Sequence, residues 1–322
     1  MEDRARPQIV VSKCLGFDHC RYNGLTIRSE AVDAMGPHVS FVPVCPEVEV
    51  GLGVPRDPVR IIRRNGVDRL VQPATGRDVT EDMHTFAQEF LGGIPKMDGF
   101  ILKNRSPSCG MTDVKVYTQL EKAPAVGRTA GLFGREVMER FEDVALEDEG
   151  RLTNFQIREH FLTKVFVLAA FRRVQASGET KELVSFQARN KLLLMSYSQT
   201  GLKTLGQIAA NPKHKNWEEL CAAYRGQLVK ALARPPRRPS AINTAQHAFG
   251  YVSKQLSKEE RNYFLDTLDR YREGKAPLSV VTGILGAWVT RFDVNYLAQQ
   301  TLFAPYPEEL VEISDSGKGR DL

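Results

Sequence analysis

Gly99-Phe100-Ile101-Leu102, followed by Ser106-Pro107-Ser108-Cys109-Gly110, is the stretch on which the fold turns. The apolar run reads as a short buried strand ending at Lys103. It delivers a cysteine into a Ser/Pro/Gly turn, which is expected to leave backbone N–H groups facing the sulfur. Two earlier segments share this layout. Gln8-Ile9-Val10-Val11-Ser12 leads into Cys14, and Val39-Ser40-Phe41-Val42-Pro43-Val44 leads into Cys45-Pro46-Glu47. Three strands, each with a cysteine just past its C-terminal end, place three thiols on one rim of a sheet. In open α/β sheets that rim is where ligands bind.

Working outward, Cys20 lies six residues beyond Cys14 in a turn-rich segment ending in Asn23-Gly24. Arg60–Arg63 and Asp68–Val71 flank Asn65-Gly66, the signal of a β-hairpin. Thr80 begins a helix through about Leu91, and Gly131 to Phe141 reads as another. The acidic run Glu142 to Glu149 looks like a linker. From Thr153 onward the pattern is helix after helix, with expected segments 155–175, 181–197, 216–233, 258–273 and 278–301, and a further helix starting at Ser240 after Pro235-Pro236-Arg237-Arg238-Pro239. The expected architecture is an α/β N-terminal domain with an open, largely parallel sheet, then an all-α domain. The boundaries are 1–146, a linker at 147–152, a basic helical domain at 153–306 and a disordered tail at 307–322.

Composition bounds the function. The 322 residues are 42% hydrophobic, enough for two domains with full cores. No secretory leader is visible at the N-terminus, and the longest uncharged run, 276–290, is too short to span a bilayer. The expectation is a cytoplasmic protein, with no membrane and no evident obligate protein partner. There thiols stay reduced, and clustered cysteines more often bind metal than pair. Four of the five cysteines lie at or before residue 109, and Cys221 stands alone. Residues 1–150 carry 19 Lys and Arg against 23 Asp and Glu, whereas residues 151–306 carry 23 against 11. So basic a second half suggests a polyanionic partner, against the plainer reading of a solvated helical surface.

Cys14, Cys45 and Cys109 are spaced too widely for a zinc ribbon and suit a metal or iron–sulfur site held by the fold. The plainer alternative is three small buried residues. Glu47, two positions past Cys45, is placed to act as a general base. Ser106 and Ser108 are placed to hydrogen-bond a substrate, although turn formation alone accounts for Ser106. Lys13, Arg21, Arg56 and Lys103 are candidate anion contacts near the same rim. In the second half, Lys213 and Lys215 beside Trp217, and Arg234, Arg237 and Arg238 among prolines, suit phosphate contacts.

Together Ser12-Lys13-Cys14-Leu15-Gly16, Cys20-Arg21-Tyr22-Asn23-Gly24, Cys45-Pro46-Glu47 and Ser106-Pro107-Ser108-Cys109-Gly110 resemble the thiouracil desulfidase family over about residues 7–145. The helical half looks like a domain often fused to that module, and the fused form is similar to tRNA 4-thiouridine desulfidases. The resemblance implies a 4Fe-4S cluster held by three cysteines with one open iron. The ligands by position are Cys14, Cys45 and Cys109, with Cys20 a possible substitute. It implies non-redox removal of sulfur from 4-thiouridine in thiolated tRNA, giving uridine and sulfide, with Glu47 activating water and Ser106 or Ser108 orienting the reacting group. The rival readings are a desulfidase of free thiouracil or thiolated nucleotide only, and a non-enzymatic metal-containing RNA-binding protein.

Overall fold

The computed structural model describes residues 4–121, 123–211 and 214–311. It divides into two compact units, one running to Ala169 and taken up again from Pro307, the other spanning Ala170–Tyr306. The first is α/β and the second all-helical.

In the first unit, β1 (Gln8–Ser12), β2 (Ser40–Val44), β5 (Gly99–Leu102) and β8 (Ala145–Asp148) form a wholly parallel sheet in the order β2-β1-β5-β8. A strand covered on both faces carries a continuous apolar run. Accordingly Ile9, Val10 and Val11, with Phe100, Ile101 and Leu102, are completely buried. The register pairs Ser12 with Val44 and Val11 with Ile101, so the three strands end at nearly one level.

A second sheet, in the order β4-β3-β6-β7, contains β3 (Arg60–Arg64), β4 (Val67–Val71), β6 (Val114–Tyr117) and β7 (Gly127–Thr129). Its β3–β4 hairpin turns on Asn65 and Gly66, with φ of 51° and 81°. Two successive positive φ values are what a tight two-residue hairpin demands, and Asn-Gly tolerates them. The helices of this unit are α1 (Glu30–Met35), α2 (Pro46–Glu49), α3 (Thr80–Gly93) and α4 (Leu132–Arg140), together with the first part of α5 (Phe155–Ser177). Phe86 and Phe90 of α3 each lie 6.1 Å from the Phe133 ring of α4, fixing that pair of helices.

Part of the acidic run read as a linker is the edge strand β8. Asp148 and Glu149 are buried there, and the Arg151 backbone N–H donates to Asp148 Oδ1 at 2.8 Å. Charged residues that find partners inside the fold look like solvated linker in one dimension. The division between units falls instead within α5. Of the stretch from residue 307 expected to be disordered, Glu308–Leu310 forms a 3₁₀ turn with Leu310 buried, and residues 312–322 lie outside the described residues.

The second unit holds the rest of α5, then α6 (Thr180–Arg189), α7 (Lys191–Tyr197), α8 (Gln199–Ala209), α9 (Trp217–Ala231), α10 (Arg238–Val252), α11 (Lys258–Arg272), α12 (Leu278–Arg291) and α13 (Asn295–Ala298). The single helix expected over 181–197 is broken at Asn190, whose Nδ2 donates to the Phe186 carbonyl at 2.9 Å. An amide bonding back to the backbone competes with helix continuation. Ser198 then caps α8, a helix the periodicity did not reveal, by accepting from the Gly201 N–H at 3.0 Å. Phe171, Phe186 and a fully buried Tyr224 form one core cluster. Phe264, Trp288, Val281, Leu285 and Leu192 form another. Among the described residues, no helix is long and apolar enough to cross a membrane.

Candidate active site at the thiol rim

Four cysteines meet where the parallel sheet ends. The Lys13 N–H donates to the Val44 carbonyl at 2.8 Å, so Cys14 and Cys45 leave neighbouring strands side by side. Cys45 is also the N-cap residue of α2, followed by Pro46 at the first helical position, where its missing N–H costs nothing. Cys20 returns to the same place, its carbonyl 3.7 Å from Cys45 Sγ. On β1, the Ser12 hydroxyl accepts from the Lys103 N–H at 2.8 Å, tying the end of β1 to the end of β5.

The Ser106–Gly110 turn is more tightly built than its composition indicated. Its N–H groups do not face a sulfur. Those of Ser108 and Cys109 donate to Ser106 Oγ at 3.3 and 3.1 Å. Its carbonyls are taken by the start of α4: Gly131 N–H to Gly110 O at 2.7 Å, and Gly134 N–H to Ser108 O at 2.9 Å. Both donors are glycine because the turn backbone occupies the side-chain space. A Cβ on Gly131 would sit 2.5 Å from Ser108 O, and one on Gly134 would sit 2.6 Å from Cys109 O.

The thiols feel one another. Burial, and then the charge of Cys45, push the Cys14 thiol up to about 11. Cys109 is raised by burial, with Cys45 and Cys14 adding to it. A hydrogen bond from Cys20 holds Cys45 down to about 7, while the same contact raises Cys20. Crowded sulfurs of this kind form a soft donor set that a cationic iron or zinc centre would relieve. Among the described residues, no three His, Cys, Asp or Glu side chains gather tightly enough for a single ion. Cys221 is buried on α9 in the other unit.

Glu47 stands beside this rim in a closed network. Its Oε1 accepts from Ser108 at 2.7 Å and more weakly from Ser106 at 3.4 Å, and the two hydroxyls are 2.9 Å apart. Its Oε2 accepts from Arg56 Nε at 3.0 Å and Nη2 at 2.7 Å. Ser108 Oγ is also 3.8 Å from Cys109 Sγ. Glu47, Ser106 and Ser108 are therefore brought together with the cysteines.

The candidate anion contacts fare differently. Arg56 is spent on Glu47, Lys13 pairs with Asp18 at 2.9 Å, and Lys103 is bonded to Glu149 and Asn104. Arg21 lies over the Tyr22 ring at 5.6 Å. Three of the four already carry a carboxylate, which a sequence cannot reveal when the partner lies nine or more positions away or belongs to a loop. Sequence reasoning also passed over Ser12. Its position at the last residue of the central strand was the available signal.

In the second unit Lys215, Arg234, Arg237 and Arg238 are exposed, and Lys213 lies outside the described residues. Arg238 opens α10, stacks over Tyr271 at 5.6 Å, and with Arg272, Asn243 and Gln246 lines an open cavity of 360 Å³. Within it the Asn243 Nδ2 is buried without a partner.

At the C-terminal rim of the parallel sheet of this α/β unit, cysteines therefore stand beside a carboxylate–serine network, in the place where open α/β sheets carry their ligands. The comparisons name the class. Residues 9–149 match the family described as 2-thiouracil desulfurase, and residues 191–307 match a family described only as a protein of unknown function, DUF1722. The uncharacterized protein YbbK of Bacillus subtilis (strain 168) is 38% identical over 109 residues, covering 32% of this chain and 72% of that protein. Among solved structures, the 4Fe-4S-dependent thiouracil desulfidase TudS is 29% identical, over 46% of this chain and 93% of that one, at a TM-score of 0.36. The chain belongs to the 2-thiouracil desulfurase family.

Proposed function

We propose that the chain is an iron–sulfur-dependent desulfidase that replaces the sulfur of 4-thiouridine in tRNA with oxygen, releasing sulfide. The observation that carries the chemistry is the Glu47–Ser108–Ser106 network set against four mutually interacting thiols in a chain of this family. Cys14, Cys45 and Cys109 would hold the cluster, with Cys20 close enough to stand in for one of them. Cysteine thiolates are the donors such a cluster would take. When bound, a cluster with one iron free of protein supplies a soft Lewis acid that prefers sulfur to oxygen.

The chain's own residues manage the proton and the oxygen. Water adds to the thiocarbonyl carbon, the C–S bond breaks, and the net change is thiocarbonyl plus water to carbonyl plus hydrogen sulfide, with no electron gained or lost. Glu47 Oε1 accepts the water proton, directly or through Ser108, and the paired hydroxyls orient the group under attack. Because Glu47 is only 12% exposed, its side chain meets little bulk water and stays aimed at the serines.

The RNA part of the reading rests on the second unit. It carries twenty Lys and Arg against ten Asp and Glu, with Lys215, Arg234, Arg237 and Arg238 at its surface. A small thiolated base needs no such surface, whereas phosphates do. The target base has to be presented unstacked to reach a buried carboxylate. Anaerobic purification, iron and sulfide counting, and incubation with thiolated tRNA beside free thiouracil test both parts. Conversion of tRNA-bound 4-thiouridine is expected. Conversion of free thiouracil alone would favour the small-molecule rival. An intact cluster with no desulfuration of any thiolated compound would favour the non-enzymatic one.

A further inference from the structure

We propose that Arg56 is a positioning residue for this reaction, locking Glu47 so that one chosen carboxylate oxygen faces the serines and tying the Cys20 loop to the Glu47 helix. This deepens the desulfidase reading and rests on it. The Arg56 side chain is 3% exposed, and a guanidinium so far from water persists only if its donors are satisfied. The way they are satisfied is uneven. A side-on fork would engage both carboxylate oxygens of Glu47. Here Nε and Nη2 both bond Oε2, leaving Oε1 to Ser108 and Ser106. Nη1 donates to the Cys20 carbonyl at 3.0 Å and the Gly53 carbonyl at 2.8 Å, and the Arg56 backbone N–H donates to Tyr22 O at 2.8 Å.

One side chain thus joins three segments: α2 with Glu47, the loop returning Cys20 to the rim, and the Gly53 turn. The line Arg56–Glu47–Ser108–Cys109 is continuous through 2.7, 2.7 and 3.8 Å contacts. Without Arg56 the two carboxylate oxygens become interchangeable, and the Ser108 bond competes with rotation of the Glu47 side chain. Lysine cannot substitute. Its ammonium is a point charge, and it cannot reach Oε2 and two carbonyls at once.

The test uses the full-length holoprotein as wild type, R56K, E47Q and R56K/E47Q. Turnover of free thiouracil and of thiolated tRNA, iron per chain, and hydrogen exchange of segments 20–25 and 51–56 are measured. R56K is expected to keep its iron, lose about 10- to 100-fold in kcat and change KM by less than about threefold. The double variant should be no slower than E47Q alone, because Arg56 acts through Glu47. Exchange in the two segments should quicken by about tenfold or more while α3 is unchanged. A kcat within about twofold of wild type, multiplicative effects in the double variant, or unchanged exchange would each overturn the proposal. So would iron loss in proportion to activity, which marks a purely structural role. Should R56K not fold, R56A with guanidinium added in solution replaces it: recovery of exchange protection supports the clamp, and none in a folded chain overturns it. If wild type converts no thiolated compound, the desulfidase reading fails, while the exchange arm still decides whether Arg56 ties the loops.

Discussion

Gly134→Ala puts the architecture of the site to a sharp test. The added Cβ would lie 2.6 Å from both Cys109 O and Gly110 O and 3.0 Å from Cys109 C, all backbone atoms that cannot swing aside. In an open helix the change would gain about 1 kcal/mol of propensity. Against that stand about 2–3 kcal/mol for forcing a carbon into a packed space, and about 1 kcal/mol if the Gly134 N–H to Ser108 O bond is broken. The net cost is about 2 kcal/mol, equivalent to a fall of about 4–8 °C in Tm for a unit of this size. The turn that yields carries Ser108 and Cys109, so iron content should fall as well. The control is Gly92→Ala on α3, where nothing lies within 4 Å and the change should be neutral or slightly stabilising. Thermal melts of both variants, with iron counted after anaerobic reconstitution, decide the matter. A G134A chain as stable and as iron-rich as wild type would refute the claim that α4 buttresses the cysteine turn.

Ser106 and Ser108 should separate by readout. S108A removes the 2.7 Å partner of Glu47 and should lower desulfuration about 10- to 100-fold with iron retained. S106A strips the cap from two backbone N–H groups and should cost about 1–2 kcal/mol in a denaturant melt. Raising salt from about 50 to about 200 mM should weaken use of thiolated tRNA by tenfold or more and leave free thiouracil unaffected. Replacing Arg234, Arg237 and Arg238 together by alanine should reproduce that pattern in KM. Asp68 bonds Arg63 within the β3–β4 hairpin at 2.7 Å and joins the hairpin to α4 through Arg135 at 2.9 Å. Burial pushes its carboxyl up, but the two guanidinium hydrogen bonds outweigh burial and hold it below the usual range. Its contribution is therefore present above about pH 4 and lost as pH falls through the depressed value. D68N should cost about 1–2 kcal/mol at pH 7 and flatten the acid limb of the stability curve.

Much of this protein was legible along the chain. The apolar runs at Ile9–Val11 and Gly99–Leu102, the Asn65-Gly66 hairpin and the Thr80 helix are local patterns of period and turn chemistry, which a short window contains in full. That Cys14, Cys45 and Cys109 each follow a strand was equally visible. Parallel strands then place their C-terminal ends together. What distance along the chain hides is pairing. Glu47 and Ser108 lie 61 positions apart and Ser12 and Lys103 lie 91 apart, so neither partner signals the other. Arg56 has the composition of a surface cation, and the β8 run has that of a linker. Only folding shows that the one is buried against a carboxylate and the other paired to β5. The sequence by itself determined which segments become strands and which residues can supply sulfur, oxygen and charge, because those properties belong to single residues and their neighbours. The tertiary structure alone decided which carboxylate oxygen faces Ser108 and why positions 131 and 134 admit no side chain, because these depend on close approach between segments remote in the chain.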